Sequence, residues 1–366
     1  MAESSTTAPG PSTLRRPMLA VIGVLLLLAI VAGAGWWFLS RPTVPDWDRA
    51  ASIDLVAPAG DAFDDTTPWV SLTFAPGAID ADVPLTLRVQ SRLGTPTPAD
   101  SGGSAVAAAS LQPIGGTGTP LELTEAADGS VSATARFPQA GWWRITAETE
   151  ASEIPATFDF VVPDPNVAGP GAVPAPQTEP EADVLYRQGL EALTTLQSVH
   201  YVQWMADGRG NGAISEHSVS GGSATAPPEF AYRAAGGMEA IMIGDTRWVK
   251  LPNNLGWTQQ EGALIIPPAD WGEEYEGATQ FTSLGEEAVG GIPATIISFM
   301  TPELTEPQRR TAAWYAWWID PATGHILRET MVSRSHYMLN IFSDYDVPLN
   351  LQPPLPEGTP AATPLP

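Results

Sequence analysis

The four histidines are the side chains of this sequence best suited to proton transfer or metal binding near neutral pH. They lie singly on different predicted strands or turns, at His200, His217, His325 and His336. No His-Glu-x-x-His or Gly-x-Ser-x-Gly motif is present, and Gly208-Arg209-Gly210-Asn211-Gly212 leads into strand residues rather than a phosphate-binding helix. We therefore predict no catalytic residue, no metal site and no cofactor.

Charge and cysteine content exclude several further functions. Two acidic groups, Asp61-Asp64-Asp65 and Glu273-Glu274-Glu276, match no known calcium loop and are interpreted as solvated loop charge. The 41 acidic and 17 basic residues give a net charge of −24, which disfavours nucleic acid as a partner. The sequence has no cysteine, which excludes disulfides, thiolate sites and a lipid-carrying cysteine.

An uncharged apolar run from Pro17 to Leu39 is long enough for a helix that spans a hydrocarbon core of about 30 Å. Arg15-Arg16 precedes it, and Trp36-Trp37-Phe38 near its end is typical of an interfacial aromatic belt. We predict a single-pass anchor in the cell membrane at residues 15–40, a disordered cytoplasmic tail at 1–14 and extracytoplasmic domains after it. The alternative is a cleaved export signal, for which Ala32-Gly33-Ala34 has the small-x-small pattern.

Residues 50–163 contain short strands in which apolar and polar residues alternate, separated by Gly, Pro and Asp turns. This pattern predicts a sandwich of two sheets. Phe137-Pro138-Gln139-Ala140-Gly141-Trp142-Trp143-Arg144-Ile145 and Phe158–Val162 resemble the closing strands of immunoglobulin-like modules of the YtkA-like and CopC-like type. Some of those families handle copper, but the sequence between Leu39 and Val199 has no His, Met or Cys. We expect one of Trp142 and Trp143 in the core and the other at the surface.

A proline-rich segment at residues 164–180 predicts an extended linker between two domains. An amphipathic helix follows at about Glu181 to Leu196, and strands then continue to Leu351. Gly244-Asp245 and Asp320-Pro321-Ala322-Thr323-Gly324 each predict a turn between two strands. The second domain is thus expected at 181–352, with a disordered tail at 353–366.

The order of features in this second domain resembles the LolA and LppX/LprG-like lipoprotein-binding superfamily. The matching pieces include the helix that ends in Leu193–Val199, Ile243–Val249, Leu284–Ala294, Trp318–Arg328 and Phe342–Pro348. The resemblance implies an open half-barrel, a curved antiparallel sheet with a helical lid, whose concave face holds lipid or acyl chains in relatives. Many relatives carry a lipid anchor on a cysteine, a role that the transmembrane helix would take here.

Large apolar side chains are concentrated in this domain, and some of them must form its core. Because alternate strand residues face opposite sides, only one of Trp317 and Trp318 can face the concave side. The hypothesis is that these side chains line an apolar cavity for a hydrophobic ligand. The alternative is that they only pack the core of the domain. Its candidate lining residues are Met205, Phe230, Tyr232, Met242, Trp248, Trp317 and Met331.

The sequence therefore predicts a mainly β protein with one transmembrane helix, an immunoglobulin-like β-sandwich and a LolA-like half-barrel. Its predicted function is a membrane-anchored, non-enzymatic carrier or envelope sensor for a lipid or acyl chain. Two alternatives stay open: an adhesion or scaffold protein without a ligand, and an accessory protein of copper handling.

Overall fold

The computed structural model describes residues 52–64, 66–75, 79–91, 105–162, 178–221, 227–252, 256–261, 268–304, 311–333 and 336–354. The tail at 1–14, the anchor at 15–40 and most of the segments 164–180 and 353–366 lie outside these ranges, so their assignments stay predictions. No helix inside the described ranges has the length and apolar character to cross a membrane.

Nine strands precede the first described helix, and they form two antiparallel sheets. They are β1 (Ile53–Pro58), β2 (Trp69–Phe74), β3 (Asp82–Gln90), β4 (Val106–Pro113), β5 (Thr119–Pro120), β6 (Thr124–Glu125), β7 (Val131–Arg136), β8 (Gly141–Thr149) and β9 (Ser152–Val162). One sheet has the order β1-β2-β3-β7-β6 and the other the order β5-β4-β8-β9. Aromatic rings pack between them: Phe74 and Phe160 have centroids 4.9 Å apart, and Phe137 contacts Trp143 edge-on at 5.3 Å. The immunoglobulin-like assignment of residues 50–163 stays a prediction.

The second half of the chain is one helix followed by a sheet of eleven antiparallel strands, the large sheet. Its elements are α1 (Pro180–Thr195), β10 (Ser198–Ala206), β11 (Gly212–Ser220), β12 (Glu229–Ala234), β13 (Glu239–Ile243), β14 (Thr246–Lys250), β15 (Thr258–Glu261), a 3-10 helix (Pro268–Tyr275), β16 (Thr279–Val289), β17 (Ile292–Thr301), β18 (Ala313–Ile319), β19 (Ile326–Ser333) and β20 (His336–Ser343). The strand order is β15-β14-β13-β12-β11-β10-β20-β19-β18-β17-β16. The predicted mainly β, antiparallel architecture is confirmed.

The helix α1 begins where its sequence favours a start. Pro180 occupies the first turn, where a backbone N–H is not needed, and Glu181 and Asp183 lie favourably near the positive end of the helix dipole. Gly189 faces the large sheet, where a β-carbon would lie 3.1 Å from Cδ1 of Ile319. A glycine at this position therefore allows the helix to approach the sheet closely.

Both predicted turns are confirmed. Gly244, at φ 59°, joins β13 to β14 through a two-residue turn. In the second turn the side chain of Asp320 accepts the backbone N–H of Ala322 at 2.9 Å, and Gly324 adopts φ 79°. These left-handed positions suit glycine because it has no β-carbon.

The large sheet is packed on both faces along β17, β18 and β19. Trp317 belongs to the cluster formed with α1, on the face named here the helix side. Trp318 belongs to the cluster shared with β1–β9, on the face named here the far side. The two neighbouring tryptophans thus point in opposite directions, as their alternation on a strand predicts.

A buried ionic network joins the far side to β8 and β9. Nε of Arg144 donates to Oδ1 of Asp159 at 2.7 Å, and Arg328 pairs with the same carboxylate. Thr330 donates its hydroxyl to Asp159 at 3.1 Å, and Arg144 also reaches Glu287 at 2.6 Å. Burial alone would raise the pKa of Asp159, but the two guanidinium groups lower it to about 2.

The expectation that one of Trp142 and Trp143 would be exposed is wrong, because both side chains are buried. Trp143 packs against Phe137, while Nε1 of Trp142 donates to Oγ of Ser298 on β17 at 2.9 Å. The far side of the large sheet covers the face of β8 that a free-standing domain would expose to water.

We expect Asp159→Asn to lower the free energy of unfolding by about 3–5 kcal/mol, because it leaves two buried guanidinium groups without their carboxylate. Urea denaturation of the wild type and the variant measures this loss. In the control Glu239→Gln, which removes a half-exposed ion pair with Lys250, the change should stay below about 1 kcal/mol. Equal effects of the two substitutions would contradict this account of the network.

Candidate functional site

The helix side beneath α1 is a filled core. The ring of Trp317 stacks on that of Tyr186 of α1 at 5.3 Å and contacts Phe299 edge-on at 4.7 Å. Met331 is also buried in this cluster. Two of the predicted lining residues, Trp317 and Met331, therefore pack the core under the helix.

One carboxyl group is enclosed in this core. Glu329 accepts hydrogen bonds from Tyr275 at 2.6 Å, from Nε1 of Trp317 at 2.7 Å and from Nδ2 of Asn340 at 2.8 Å. Burial, together with the nearby charge of Glu274, raises the pKa of Glu329 to about 7. Burial and Glu274 thus favour the uncharged form of this carboxyl group, while the three hydrogen bonds that it accepts favour the ionised form.

A row of methionines continues from this core toward β10. In the strand register Met331 lies opposite Met338, and Met338 lies opposite Met205. Nε2 of Gln203 donates to Oδ1 of Asn340 at 3.1 Å and lies 3.3 Å from Sδ of Met338. Methionine side chains adapt to irregular apolar surfaces, so this row can adjust to what packs on it.

Beyond the methionines, five aromatic side chains form a continuous surface on the helix side, named here the ring patch. The ring of Tyr201 stacks on that of His217 at 4.4 Å, with an interplanar angle of 5°. His217 contacts Tyr232 at 5.1 Å and Phe230 at 5.9 Å, while Trp271 lies edge-on to Tyr201 at 5.8 Å. All five side chains are half-buried.

The histidine in the ring patch is uncharged at neutral pH. Burial, with a smaller contribution from His200, lowers the pKa of His217 to about 4. One ring nitrogen, Nε2, lies 2.8 Å from Oγ of Ser215, whereas the other is buried without a partner among the described residues. A neutral imidazole behaves here as an aromatic ring with one polar edge.

The other histidines lie apart from this surface. His200 lies on the far side, where it contacts Ser218 at 3.0 Å and Glu216 at 3.3 Å. His325 stacks on Tyr345 at 4.1 Å, and His336 begins β20. Across the described ranges, no three His, Cys, Asp or Glu side chains form a group that could hold a metal ion.

Six of the seven predicted lining residues lie on the helix side. Phe230 and Tyr232 belong to the ring patch, and Met242 pairs with Phe230 across β12 and β13 but is only 1% exposed. Trp248 is on the far side, because it pairs with Ile241, the neighbour of Met242. Sequence reasoning missed Glu329 and the role of Tyr201 and His217 as the centre of the patch.

Burial differs strongly between strands of the large sheet. Every residue of β18 except Trp314 is buried, whereas no residue of β12 or β14 is buried and all of β15 is exposed. The helix α1 packs on β16, β17 and β19. The ring patch therefore lies at the border between the closely packed strands and the more exposed strands of the large sheet.

Several solved structures that resemble this chain are proteins of the LolA and LppX type, the resemblance noted above for the second half of the sequence. No family model and no curated protein matches the chain. Among solved structures, LprF from Mycobacterium bovis is 14% identical, with a TM-score of 0.39 over 48% of this chain and 98% of that one. The lipoprotein LppX of Mycobacterium tuberculosis is 19% identical, with a TM-score of 0.33 over 48% and 100%. A LolA superfamily protein from Nitrosomonas europaea is 12% identical, with a TM-score of 0.22 over 46% and 94%. At these identities the likeness concerns the fold alone.

We expect Glu329→Gln to change the pH dependence of stability. The folded-state pKa of about 7 lies above the ordinary 4.5, so the protonated carboxyl stabilises the fold fully below pH 4.5, and this contribution is lost as the pH rises to about 7. The free energy of unfolding of the wild type, relative to the variant, should therefore fall across that window. Urea denaturation at several pH values measures the difference, and parallel curves for the two proteins would contradict the assignment.

Proposed function

We propose that this chain is a membrane-anchored extracytoplasmic protein that binds a lipid or acyl chain on the helix side of its large sheet. In this role it acts as a carrier or envelope sensor and not as an enzyme. The observation that carries the proposal is the ring patch, a continuous aromatic surface that stays half-buried beside a core of fully buried side chains.

The chemistry of the ring patch suits an apolar ligand. Each square ångström of apolar surface removed from water contributes about 25 cal/mol, and an acyl chain laid on the rings would complete their burial. Phe230 and Tyr232 offer flat apolar faces, and neutral His217 adds no charge that binding would have to desolvate. The neighbouring methionine row lets the surface fit chains of different shape.

The burial pattern distinguishes this surface from ordinary core. The rings beneath α1 are enclosed, as shown by Trp317, Phe299 and Tyr315, which are all 2% exposed or less. The rings of the patch keep intermediate exposure although they lie on the same face. A contiguous apolar surface that the fold leaves partly open is typical of a binding site.

We expect the double variant Phe230→Ala/Tyr232→Ala to bind a fluorescent acyl chain about tenfold or more weakly than the wild type. Burying one such ring contributes about 1.5–3 kcal/mol, and 1.4 kcal/mol corresponds to a factor of ten. The assay uses the full chain in lipid nanodiscs. Trp248→Ala, on the opposite face, is the matched control and should bind as the wild type does.

Loss of binding in both variants would point to general destabilisation, and unchanged binding in both would place the ligand elsewhere. Absence of co-purifying lipid, combined with no gain in melting temperature on adding lipid, would overturn the proposal. That result would favour the alternative of a scaffold protein without a ligand.

The anchoring part of the proposal rests on the apolar run from Pro17 to Leu39. We expect the chain to stay in the membrane fraction after alkaline carbonate washing and to retain Met1 at its amino terminus. Release into the supernatant, with Gly35 as the new amino terminus, would instead establish a cleaved export signal.

A further inference from the structure

A cleft of about 450 Å³ opens on the far side of the large sheet, where the sheets of β1–β9 meet β10, β11 and β20. Pockets that bind small molecules usually measure about 300–1,000 Å³. This cleft lies on the opposite face from the ring patch, so it is separate from the ligand site proposed above.

The walls of the cleft are largely apolar. Trp204, Ile214 and Leu339 of the large sheet line one side, and Phe63 lines the other. Nε1 of Trp204 donates to the backbone oxygen of Val56 on β1 at 2.8 Å, which fixes this indole in place. An apolar chain can therefore replace water against a rigid wall.

Two isoleucines in the lining are exposed to an unusual degree. Ile154 of β9 is 59% exposed and Ile341 of β20 is 44% exposed, and both belong to the cleft. They come from the two different parts of the molecule that form it. Large apolar side chains that converge on one opening indicate a surface whose burial by a ligand is energetically favourable.

Arg328 is the most deeply buried charged side chain of the lining, with 13% of its side chain exposed. Its guanidinium lies 4.8 Å from the ring centroid of Trp318, and Nη2 pairs with Asp159. Nε is buried with no partner among the described residues. A guanidinium has five N–H donors, so Arg328 keeps donor capacity for an acceptor from outside the protein.

The other charged side chains of the lining also have hydrogen-bond partners within the protein. Arg233 donates to Glu216 at 2.9 Å and stacks on Phe63 at 4.2 Å from the ring centroid. Asp61 accepts the backbone N–H of Phe63 at 2.9 Å. Arg328 is thus the cation of the lining that best suits the acidic head of an incoming ligand.

We propose that this cleft is a second ligand site, which binds a single-chain amphiphile with a carboxylate head. The head accepts hydrogen bonds from Arg328, and the chain lies along Trp204 and Leu339 toward Ile154 and Ile341. The net charge of −24 disfavours the binding of anions at the surface as a whole. A preference for an acid over the matching alcohol would therefore indicate that Arg328 binds the carboxylate.

The test uses the full chain in lipid nanodiscs and decanoic acid with a photoreactive diazirine at the chain end. We expect saturable labelling of the cleft, mapped by mass spectrometry, that decanoate displaces about tenfold better than decanol. Ile154→Ser/Ile341→Ser should weaken this binding about tenfold, while Ile292→Ser, a 46% exposed isoleucine on β17 outside the cleft, should leave it unchanged.

Two further variants separate the possible outcomes. Arg328→Lys keeps a cation beside Asp159 and should retain labelling while losing most of the preference for the acid. Phe230→Ala/Tyr232→Ala should leave cleft labelling intact even if the ring patch proves to bind nothing. Labelling that does not saturate, that is lost in the ring-patch variant or that persists unchanged in Ile154→Ser/Ile341→Ser would overturn the second site.

Discussion

Along β17, β18 and β19 the large sheet has to bury both faces, and the rest of the structure depends on this constraint. Trp317 and Trp318 are fully buried on opposite sides of β18. Each indole N–H then needs an acceptor, and each finds a carboxylate: Glu329 at 2.7 Å on the helix side and Glu287 at 3.0 Å on the far side. The helix α1 covers one face and the sheets of β1–β9 cover the other. Removing either layer would expose a buried tryptophan and leave a buried polar group without its partner.

Local features of the sequence predicted local structure well. The start of α1 at a proline followed by acidic residues, and the turns at Gly244 and Gly324, depend on neighbours only a few positions away. The burial of Trp142 could not be derived in this way, because its partner Ser298 is 156 residues further along the chain. The same holds for Arg144 and Glu287, which are 143 residues apart. Such pairs follow from the packing of whole sheets, which no periodicity of the sequence records.

Strand register explains why six of the predicted lining residues share one face of the large sheet and Trp248 lies on the other. Alternation placed Phe230 and Tyr232 together on one face of β12. The two-residue turn at Gly244 pairs Ile243 with Thr246, and this register places Trp248 opposite Ile241 rather than Met242. The face on which Trp248 lies could therefore have been predicted from the two-residue turn. Glu329 gave no such signal, since its donors come from the 3-10 helix, β18 and β20.

The uneven burial of the large sheet connects stability with the proposed functions. Closely packed strands such as β18 contribute the stability that allows β11 and β12 to keep apolar side chains partly open on either face. On β10, β11 and β12 the two proposed sites use neighbouring residues. Tyr201, His217 and Tyr232 form part of the ring patch, while the next or preceding residues, Val202, Glu216 and Arg233, line the cleft. Only one layer of backbone separates the sites, so a ligand that shifts β10–β12 on one face must also move side chains that line the other.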